Sequence, residues 1–392
     1  MSRDFLRSDR LRVLVNGIHA KSGGGVTYLR NIMPLLAQDE ELELHLFLHR
    51  DQFALFGTID ERIRIHLLDF RNGFFANLVW EQLALPIFAH VMKVDATLSL
   101  ANYGPLFAPA PLIMLRNSLA VAGRETRILK RLYWAGLTVM TALSLMTCRK
   151  AIAVSNYARD ALSFGVGARL HYKVGVVHHG VHEAFHPSDR PRAGDYLLAV
   201  SDIYVQKNLH TLIHALAAVR RRFPETVLKV AGKAIDEDYL QELQAVIRSE
   251  GLGDAVQFLG ECDTGQLLAL YQDCEVFVFP STVETFGNPL VEAMACGASI
   301  ASSNSAAMPE ILGNAAVFFE PLNAADMANR IVDLLENESA RKRLSEKALA
   351  RARRYSWSVT ASKTAELIKS AAVRGHRLHR GQPAESSIGT GS

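Results

Sequence analysis

The 392-residue chain lacks the features that mark several specialised classes of protein. It contains only four cysteines, with no CxxC pair and no spacing to histidines that suits a zinc site. This scarcity excludes a disulfide framework and is typical of buried thiols in a reducing compartment. The first ten residues are polar and do not resemble a signal peptide, so we expect a cytoplasmic protein.

Strong charge and long apolar runs are missing as well. The formal net charge is only +3 and no basic stripe alternates with aromatic residues, so we expect no nucleic-acid partner. The uncharged run Trp134–Cys148 has fewer than the roughly 20 residues that span a bilayer. It predicts a buried helix or, together with the basic cluster Arg124–Arg131, a helix over 124–148 at the inner face of an anionic membrane.

The chain does contain enough apolar sequence for stable cores, because 49% of its residues are hydrophobic and 21% are charged. Strand-like runs alternate with helical stretches, seven runs between residues 11 and 177 and six between 196 and 319. Helices are predicted among them, for example over 26–38, 76–92, 123–147 and 207–222. This order predicts an α/β fold of parallel sheets with helices on both faces.

The best linker candidate is the polar segment 186–195, which holds two prolines. It separates two doubly wound, Rossmann-like domains of similar size, predicted over 1–187 and 196–355. We expect these domains to face each other across a cleft. Ligands of such sheets bind outside the carboxyl ends of the strands.

The most informative segment is 284–292, Glu-Thr-Phe-Gly-Asn-Pro-Leu-Val-Glu, which follows the apolar strand 276–279. Asn288 suits a helix N-cap and Pro289 suits the first helical position, so a helix is predicted from Leu290 to Gly297. Glu292 would then lie in the first turn of this helix.

The backbone amides around Phe286–Leu290 would form an anion site at the start of this helix. Carboxylates on either side, Glu284 and Glu292, cannot hold phosphate but can accept hydrogen bonds from hydroxyls. A phosphate site between two hydroxyl-binding acids predicts a nucleotide-sugar ligand. The alternative is a strand, loop and helix that simply begins with acidic residues.

Polar residues follow other predicted strands. Ser22–Gly25 predicts a turn or a loop that approaches an anion closely. Lys207 at a helix start opposes the helix dipole, which favours a bound anion over a solvated surface lysine. Arg116 is either a donor to phosphate or hydroxyl groups or a surface charge. His178 and His179 point to opposite sides of a strand end, so we expect no metal site there.

Taken together, these segments resemble the retaining GT-B glycosyltransferases of the group-1 (GT4) type. The matching segments are Gly23–Gly25, Val154-Ser155-Asn156, His179-Gly180-Val181, Val200-Ser201, Lys207-Asn208, Glu284 to Gly297, Pro309-Glu310 and Tyr355-Ser356-Trp357. The resemblance covers nearly the whole chain and is most specific over 196–321. It implies an acceptor domain followed by a sugar-nucleotide domain, a last helix over 356–375 that crosses back to the first domain, and a disordered tail over 376–392.

The resemblance also implies roles for single residues. Glu284 would bind hydroxyls of the transferred sugar, Glu292 the ribose hydroxyls, and Lys207 the diphosphate. The implied donor site comprises Gly23, Gly24, Gly25, Ser201, Lys207, Glu284, Thr285, Phe286, Gly287, Asn288, Leu290 and Glu292, and the implied catalytic residues are Glu284, Lys207 and Arg116. No metal or other cofactor is implied, and the donor phosphate would take the proton of the acceptor hydroxyl.

Two positions depart from the pattern of the family. Asp202 stands where many relatives have an arginine five residues before the lysine, and Arg116 stands where many have a histidine. The first change removes a positive charge from the diphosphate site, and the second adds one elsewhere. We hypothesise that Arg116 partly replaces the missing arginine.

The sequence therefore predicts a hexosyltransferase that uses a GDP-sugar, with mannose favoured, or a UDP-sugar. The acceptor would be a glycan or a lipid-linked molecule in the synthesis of a bacterial surface polysaccharide. One alternative is a nucleotide-sugar epimerase or hydrolase of the same fold. The other is a non-catalytic protein that binds sugar nucleotides.

Overall fold

The computed structural model describes residues 10–21, 23–57, 59–71, 73–118, 128–164, 172–190 and 194–379. Ser22, Arg124, Arg127 and the centre of the predicted linker, 191–193, lie outside the described residues. The described residues contain two sheets of parallel strands with helices between the strands. The predicted α/β fold class, with doubly wound parallel sheets, is confirmed.

The first sheet has seven strands in the order β3-β2-β1-β4-β5-β6-β7. Their bounds are β1 Leu11–Asn16, β2 Leu42–His49, β3 Arg64–Leu68, β4 Ala96–Ser99, β5 Pro111–Leu115, β6 Lys150–Ala153 and β7 Val174–Val176. The described helices between them are α1 Gly23–Leu36, α2 Phe74–Val79, α3 Leu85–Val91, α4 Ile128–Thr147 and α5 Asn156–Leu162. Strands β4 and β5 are buried at every residue, as expected for parallel strands covered on both faces.

The second sheet has six strands in the order β10-β9-β8-β11-β12-β13. Their bounds are β8 Tyr196–Val200, β9 Val227–Ala231, β10 Val256–Gly260, β11 Val276–Phe279, β12 Ile300–Ser303 and β13 Ala316–Phe319. The helices are α6 Leu209–Arg220, α7 Glu237–Ser249, α8 Thr264–Asp273, α9 Asn288–Ala295, α10 Met308–Leu312, α11 Ala324–Glu336, α12 Glu338–Ala352 and α13 Trp357–His379. The order reverses between β8 and β11, and ligands of doubly wound sheets bind at such a switch point.

The chain divides into two compact units. Unit 1 takes the described residues of Met1–Met114, Met140–Ile152 and Ser362–Ser392, and unit 2 takes those of Leu115–Val139 and Ala153–Ala361. In the sequence, the strands of the first sheet precede the predicted linker and those of the second sheet follow it. The two compact units, however, do not divide the chain at this linker. The domain limits 1–187, 196–355 and 356–375 therefore stay predictions.

Four predicted elements differ from the structure. The predicted helix 76–92 is interrupted by a π-helical turn, Trp80–Ala84, just before Pro86. The predicted helix 207–222 begins only at Leu209, after a 3-10 turn over Val205–Lys207. Gly23–Gly25 form the first turn of α1 rather than a loop. Helix α13 continues to His379, into the predicted disordered tail, whose remaining residues lie outside the described part.

Within the described part of the chain, no helix combines the length and the apolar character that crossing a bilayer requires.

Gly180 offers a test of the packing in unit 2. A Cβ at this residue would overlap the backbone nitrogen of Trp357 and lie 2.6 Å from the carbonyl carbon of Ser356. We expect Gly180→Ala to lower the free energy of unfolding by about 1–3 kcal/mol, because neither backbone atom can move alone. Gly253→Ala is the matched control, since its Cβ would meet nothing within 4 Å. Equal thermal unfolding of both variants would contradict the expected clash.

Candidate functional site

The segment 284–292 lies where the sequence predicts, with residues 284–287 in the loop after β11 and residues 288–292 in α9. Backbone hydrogen bonds hold the two sides of this loop. The Thr282 amide donates to the Gln206 carbonyl at 2.9 Å, and the Ala307 amide donates to the Glu284 carbonyl at 3.2 Å. The loop is thus fixed to the chain that follows β8 and to the chain that follows β12.

The start of α9 differs from the prediction. Gly287, with φ 88° and ψ 74°, occupies the N-cap position, and Asn288 is the first helical residue. A Cβ at Gly287 would lie 2.9 Å from the Leu290 side chain, so both the conformation and the space favour glycine. The Asn288 side chain does not cap the helix because its Oδ1 accepts a hydrogen bond from His179 at 3.1 Å.

The backbone amides predicted to form an anion site differ in their hydrogen bonds. In the described part of the chain, no hydrogen bond is made by the backbone amides of Phe286 and Gly287. The Leu290 amide, by contrast, donates to the Gly287 carbonyl at 3.0 Å, so it is not available to an anion, contrary to the prediction. The Phe286 and Gly287 amides, at the start of α9, therefore need partners.

Lys207 and Glu284 form an ion pair, with Nζ 2.5 Å from Oε1. Both side chains are largely buried, at 12% and 16% exposure. Burial alone would lower the pKa of Lys207, but the Glu284 carboxylate and the Tyr204 hydroxyl raise it well above its usual range. The lysine is therefore charged at neutral pH, and the pair is neutral as a whole.

Asn208 organises the chain around Lys207. It is fully buried in the left-handed conformation, with φ 57°. Its Nδ2 donates to the carbonyls of Pro280 and Pro321, and its Oδ1 accepts from Thr211. The side chain thus ties the turn that carries Lys207 to the residue that follows β11.

Glu292 is the fifth residue of α9, not part of its first turn as predicted. Its Oε2 accepts a hydrogen bond from the Tyr271 hydroxyl at 3.0 Å. Burial raises the pKa of Glu292 to about 7, although the Tyr271 bond lowers it. The carboxyl group therefore changes its charge near neutral pH.

Thr285 fixes the loop to two further segments of unit 2. Its hydroxyl donates to the Arg116 carbonyl at 2.5 Å, and its carbonyl accepts from the Ser155 hydroxyl at 2.5 Å. The Ser155 hydroxyl also caps α5 by accepting from the Ala158 amide. Arg116 follows β5 and Ser155 follows β6 in the chain, and both residues belong to unit 2, as Thr285 does.

His179 supports the loop from the side of Phe286. Its ring is stacked against Trp357 and tilted against Phe286, with centroids 5.6 and 4.9 Å away. Burial lowers the pKa of His179 to about 4, and the charge of Arg116 contributes in the same direction. The neutral imidazole therefore donates Nδ1–H to Asn288.

Glu310 joins several segments that the sequence singled out without a role. It accepts from the backbone amides of Asn156 and Tyr157 and from the Nε2 of His178, all within 3.0 Å. Burial raises its pKa, but these donors lower it to about 2. A charged carboxylate thus caps α5, and His178 and His179 have separate partners as their opposite directions predict.

The remaining predicted residues either make other hydrogen bonds or belong to unit 1. Ser201 donates its amide to Ala231 at 2.9 Å, and Asp202 accepts from the Lys233 amide at 3.4 Å. The glycines of α1 belong to unit 1, so their closing on a donor stays a prediction. Among the described residues, no group of three or more His, Cys, Asp or Glu is placed to hold a metal ion.

The raised pKa of Glu292 predicts a pH-dependent stability. The folded state binds this proton more tightly than the unfolded state, so the free energy of unfolding falls as pH rises from about 4.5 to about 7. Glu292→Gln lacks this loss and keeps an acceptor for Tyr271. Relative to wild type, the free energy of unfolding of the variant should increase by about 1–3 kcal/mol when the pH rises from about 5 to about 8. If urea unfolding gives the same difference in free energy between wild type and the variant at both pH values, Glu292 titrates normally and the prediction is wrong.

The chain is similar to known glycosyltransferases. Residues 182–351 match the family described as Glycosyl transferases group 1. The mannosyltransferase WbdA of Escherichia coli is 32% identical over 168 residues, which are 43% of this chain and 21% of that protein. A glycogen synthase of Mycobacterium tuberculosis is 32% identical over 242 residues, 60% of this chain and 55% of that protein.

A third relative is the phosphatidyl-myo-inositol mannosyltransferase of Mycobacterium tuberculosis, 31% identical over 180 residues, 44% of this chain and 46% of that protein. The chain thus spans between about a fifth and just over half of the length of these relatives.

Solved structures show the same fold over nearly the whole chain. The sucrose-phosphate synthase of Thermosynechococcus elongatus gives a TM-score of 0.74 at 16% identity, covering 93% of this chain and 100% of that one. HepE of Anabaena, solved with UDP-glucose, gives 0.72 at 18% identity, with 92% and 100% covered. At these identities the likeness concerns the fold, which is GT-B. The chain is thus similar to the group-1 glycosyltransferases in sequence over 182–351 and in fold over nearly its whole length.

Proposed function

We propose that this protein transfers a hexose from a nucleoside-diphosphate sugar to a hydroxyl of a glycan or a lipid-linked acceptor. The buried ion pair between Lys207 and Glu284 supports this most. Glu284 lies in the same loop as the backbone amides of Phe286 and Gly287, for which the described residues provide no hydrogen-bond partner. These groups offer a cation, two N–H donors and a carboxylate acceptor at the switch point of one sheet. A diphosphate joined to a sugar needs all three kinds of group.

The donor can enter without breaking the ion pair. A lysine ammonium has three N–H groups; Glu284 accepts from one, and the Tyr204 hydroxyl, which raises the pKa of Lys207, would take a second. The third would bind a diphosphate oxygen, and the Phe286 and Gly287 amides would bind others. Glu284 has a second oxygen for a sugar hydroxyl, and Glu292 would accept from the ribose hydroxyls.

The reaction would proceed with retention of anomeric configuration and without a metal ion. The bond from the anomeric carbon to the diphosphate breaks, and the acceptor oxygen bonds to that carbon on the same face. The acceptor proton passes to the leaving phosphate oxygen. Lys207 and the two amides would stabilise the charge that develops on the diphosphate.

Mannose from GDP-mannose is the favoured donor sugar, because two of the relatives are mannosyltransferases. A UDP-hexose is the second choice. The setting would be the synthesis of a bacterial surface polysaccharide, as the name of the serotype-specific mannosyltransferase WbdA of Escherichia coli suggests by analogy. We extend the proposal to a cytoplasmic protein that contacts the inner face of an anionic membrane.

The ion pair gives the central test. We expect Glu284→Gln to lower kcat by about a hundredfold or more, because the sugar loses a charged acceptor in the transition state. Lys207→Ala should also lose stability, since it leaves a buried carboxylate alone. The double variant Lys207→Met/Glu284→Gln is the control: it should regain the stability but stay inactive. Turnover near wild type in the double variant would refute the assigned roles, and nucleotide release without acceptor would indicate a hydrolase.

Arg116 gives a second test. Its carbonyl binds Thr285, and its charge is close enough to lower the pKa of His179, which supports a guanidinium beside the loop. If it replaces the arginine absent at Asp202, Arg116→Ala should raise the donor KM about tenfold or more. Arg116→Lys should recover part of this loss, because lysine keeps the positive charge but lacks the planar set of N–H donors of the guanidinium. Donor kinetics near wild type in both variants would show that Arg116 has no such role.

A further inference from the structure

Five large apolar side chains form an exposed stripe on the segment Phe74–Val91 of unit 1. They stand four residues apart and are 78%, 58%, 64%, 64% and 74% exposed: Phe75, Val79, Leu83, Ile87 and Val91. We call these five residues the apolar stripe. In a regular α-helix, each step of four residues turns about 40° beyond a full circle, so five such residues would drift around the helix. The π turn Trp80–Ala84 holds more residues per turn and offsets this drift.

The opposite side of the same segment is buried in the protein. Leu85 and Ala89 pack with Leu14, Phe47 and Val94 in an apolar cluster. The segment is therefore apolar all round, which is typical of helices that are covered on every side. From Gly73 to Met92 the only charged side chain is Glu81, which is fully buried and accepts from Asn16 and His19. The outer side thus has the composition of a covered surface.

Neighbouring elements extend the stripe. Gln82 binds the backbone of Gly104 and Leu106, and Gly104 binds the Ser144 hydroxyl on α4. The loop 104–106 therefore lies beside both the π turn and α4. Phe107, which follows this loop, is 76% exposed, and Leu143 and Met146 on α4 are 40% and 76% exposed.

The charges around the stripe favour an anionic surface. Arg71 and Lys93, both exposed, stand at its two ends. In residues 69–114 and 140–152, the parts of unit 1 around the stripe, the other basic residues are Arg149 and Lys150. The acids there are Asp69, which pairs with Arg50, the buried Glu81, and Asp95, which binds the Arg12 amide.

We infer that the apolar stripe inserts into the headgroup region of an anionic lipid surface, with Arg71 and Lys93 binding lipid phosphates. A lipid surface accepts an exposed apolar helix face with basic residues at its ends, whereas a protein interface needs a complementary shape and hydrogen bonds around its core. This inference deepens the proposed membrane contact and assigns it to 74–91 instead of 124–148. It would bring a transferase to a lipid-linked acceptor, but it does not require the transfer reaction.

Flotation with vesicles of pure phosphatidylglycerol or pure phosphatidylcholine tests the inference. Wild type should bind the anionic vesicles, and Leu83→Gln/Ile87→Gln should weaken binding about tenfold or more. Glutamine suits an exposed helix, so the variant should fold. The control is Ile235→Gln/Leu322→Gln, which removes side chains of similar exposure, 61% and 63%, from unit 2 and should bind as wild type does.

The charges have a test of their own. Arg71→Gln/Lys93→Asn should remove the preference for phosphatidylglycerol, and asparagine suits the left-handed conformation of residue 93, with φ 53°. No binding by wild type would overturn the inference. So would a wild-type dimer that Leu83→Gln/Ile87→Gln makes monomeric, because a second copy would then cover the stripe. Transfer to a water-soluble acceptor should be unchanged in every variant, so its absence would count against the proposed function alone.

Discussion

The ion pair between Lys207 and Glu284 is the interaction on which the rest of the site depends. Each charge is largely removed from water and would be costly to bury without the other. Lys207 follows β8 and Glu284 follows β11, the two strands at which the order of the sheet reverses. The pair therefore fixes the two chain segments that leave the switch point, and it does so with no net charge.

A neutral pair beside unbonded amides is well suited to an anion that carries hydroxyls. The amides of Phe286 and Gly287 and the third N–H of Lys207 favour negative charge, while the second oxygen of Glu284 favours a hydroxyl donor. A free phosphate would use the first set alone and would lie near the carboxylate. A sugar diphosphate would use both sets at once, which supports the nucleotide-sugar donor that we propose.

The sequence predicts the strands well because their signal is local. Short apolar runs such as 196–200 and 276–279 end in turn-forming residues, and both are strands with those bounds. The details at the start of α9 depend on distant residues and could not be read from the segment itself. Asn288 does not cap the helix because His179, 109 positions earlier, binds its side chain. The pKa of Glu292 depends on the packing of α9 around it and on Tyr271.

The segments that match the family without an evident chemical role contact one another. Ser155 binds Thr285, Glu310 binds His178 and the amides that begin α5, and His179 binds Asn288. All of these contacts lie within unit 2 and several end on the loop 284–288. Their common effect is to fix the position of that loop, since none of these side chains is both charged and unpaired. The chemistry is then left to few groups, and their placement depends on this larger set of neutral contacts and capped helix ends.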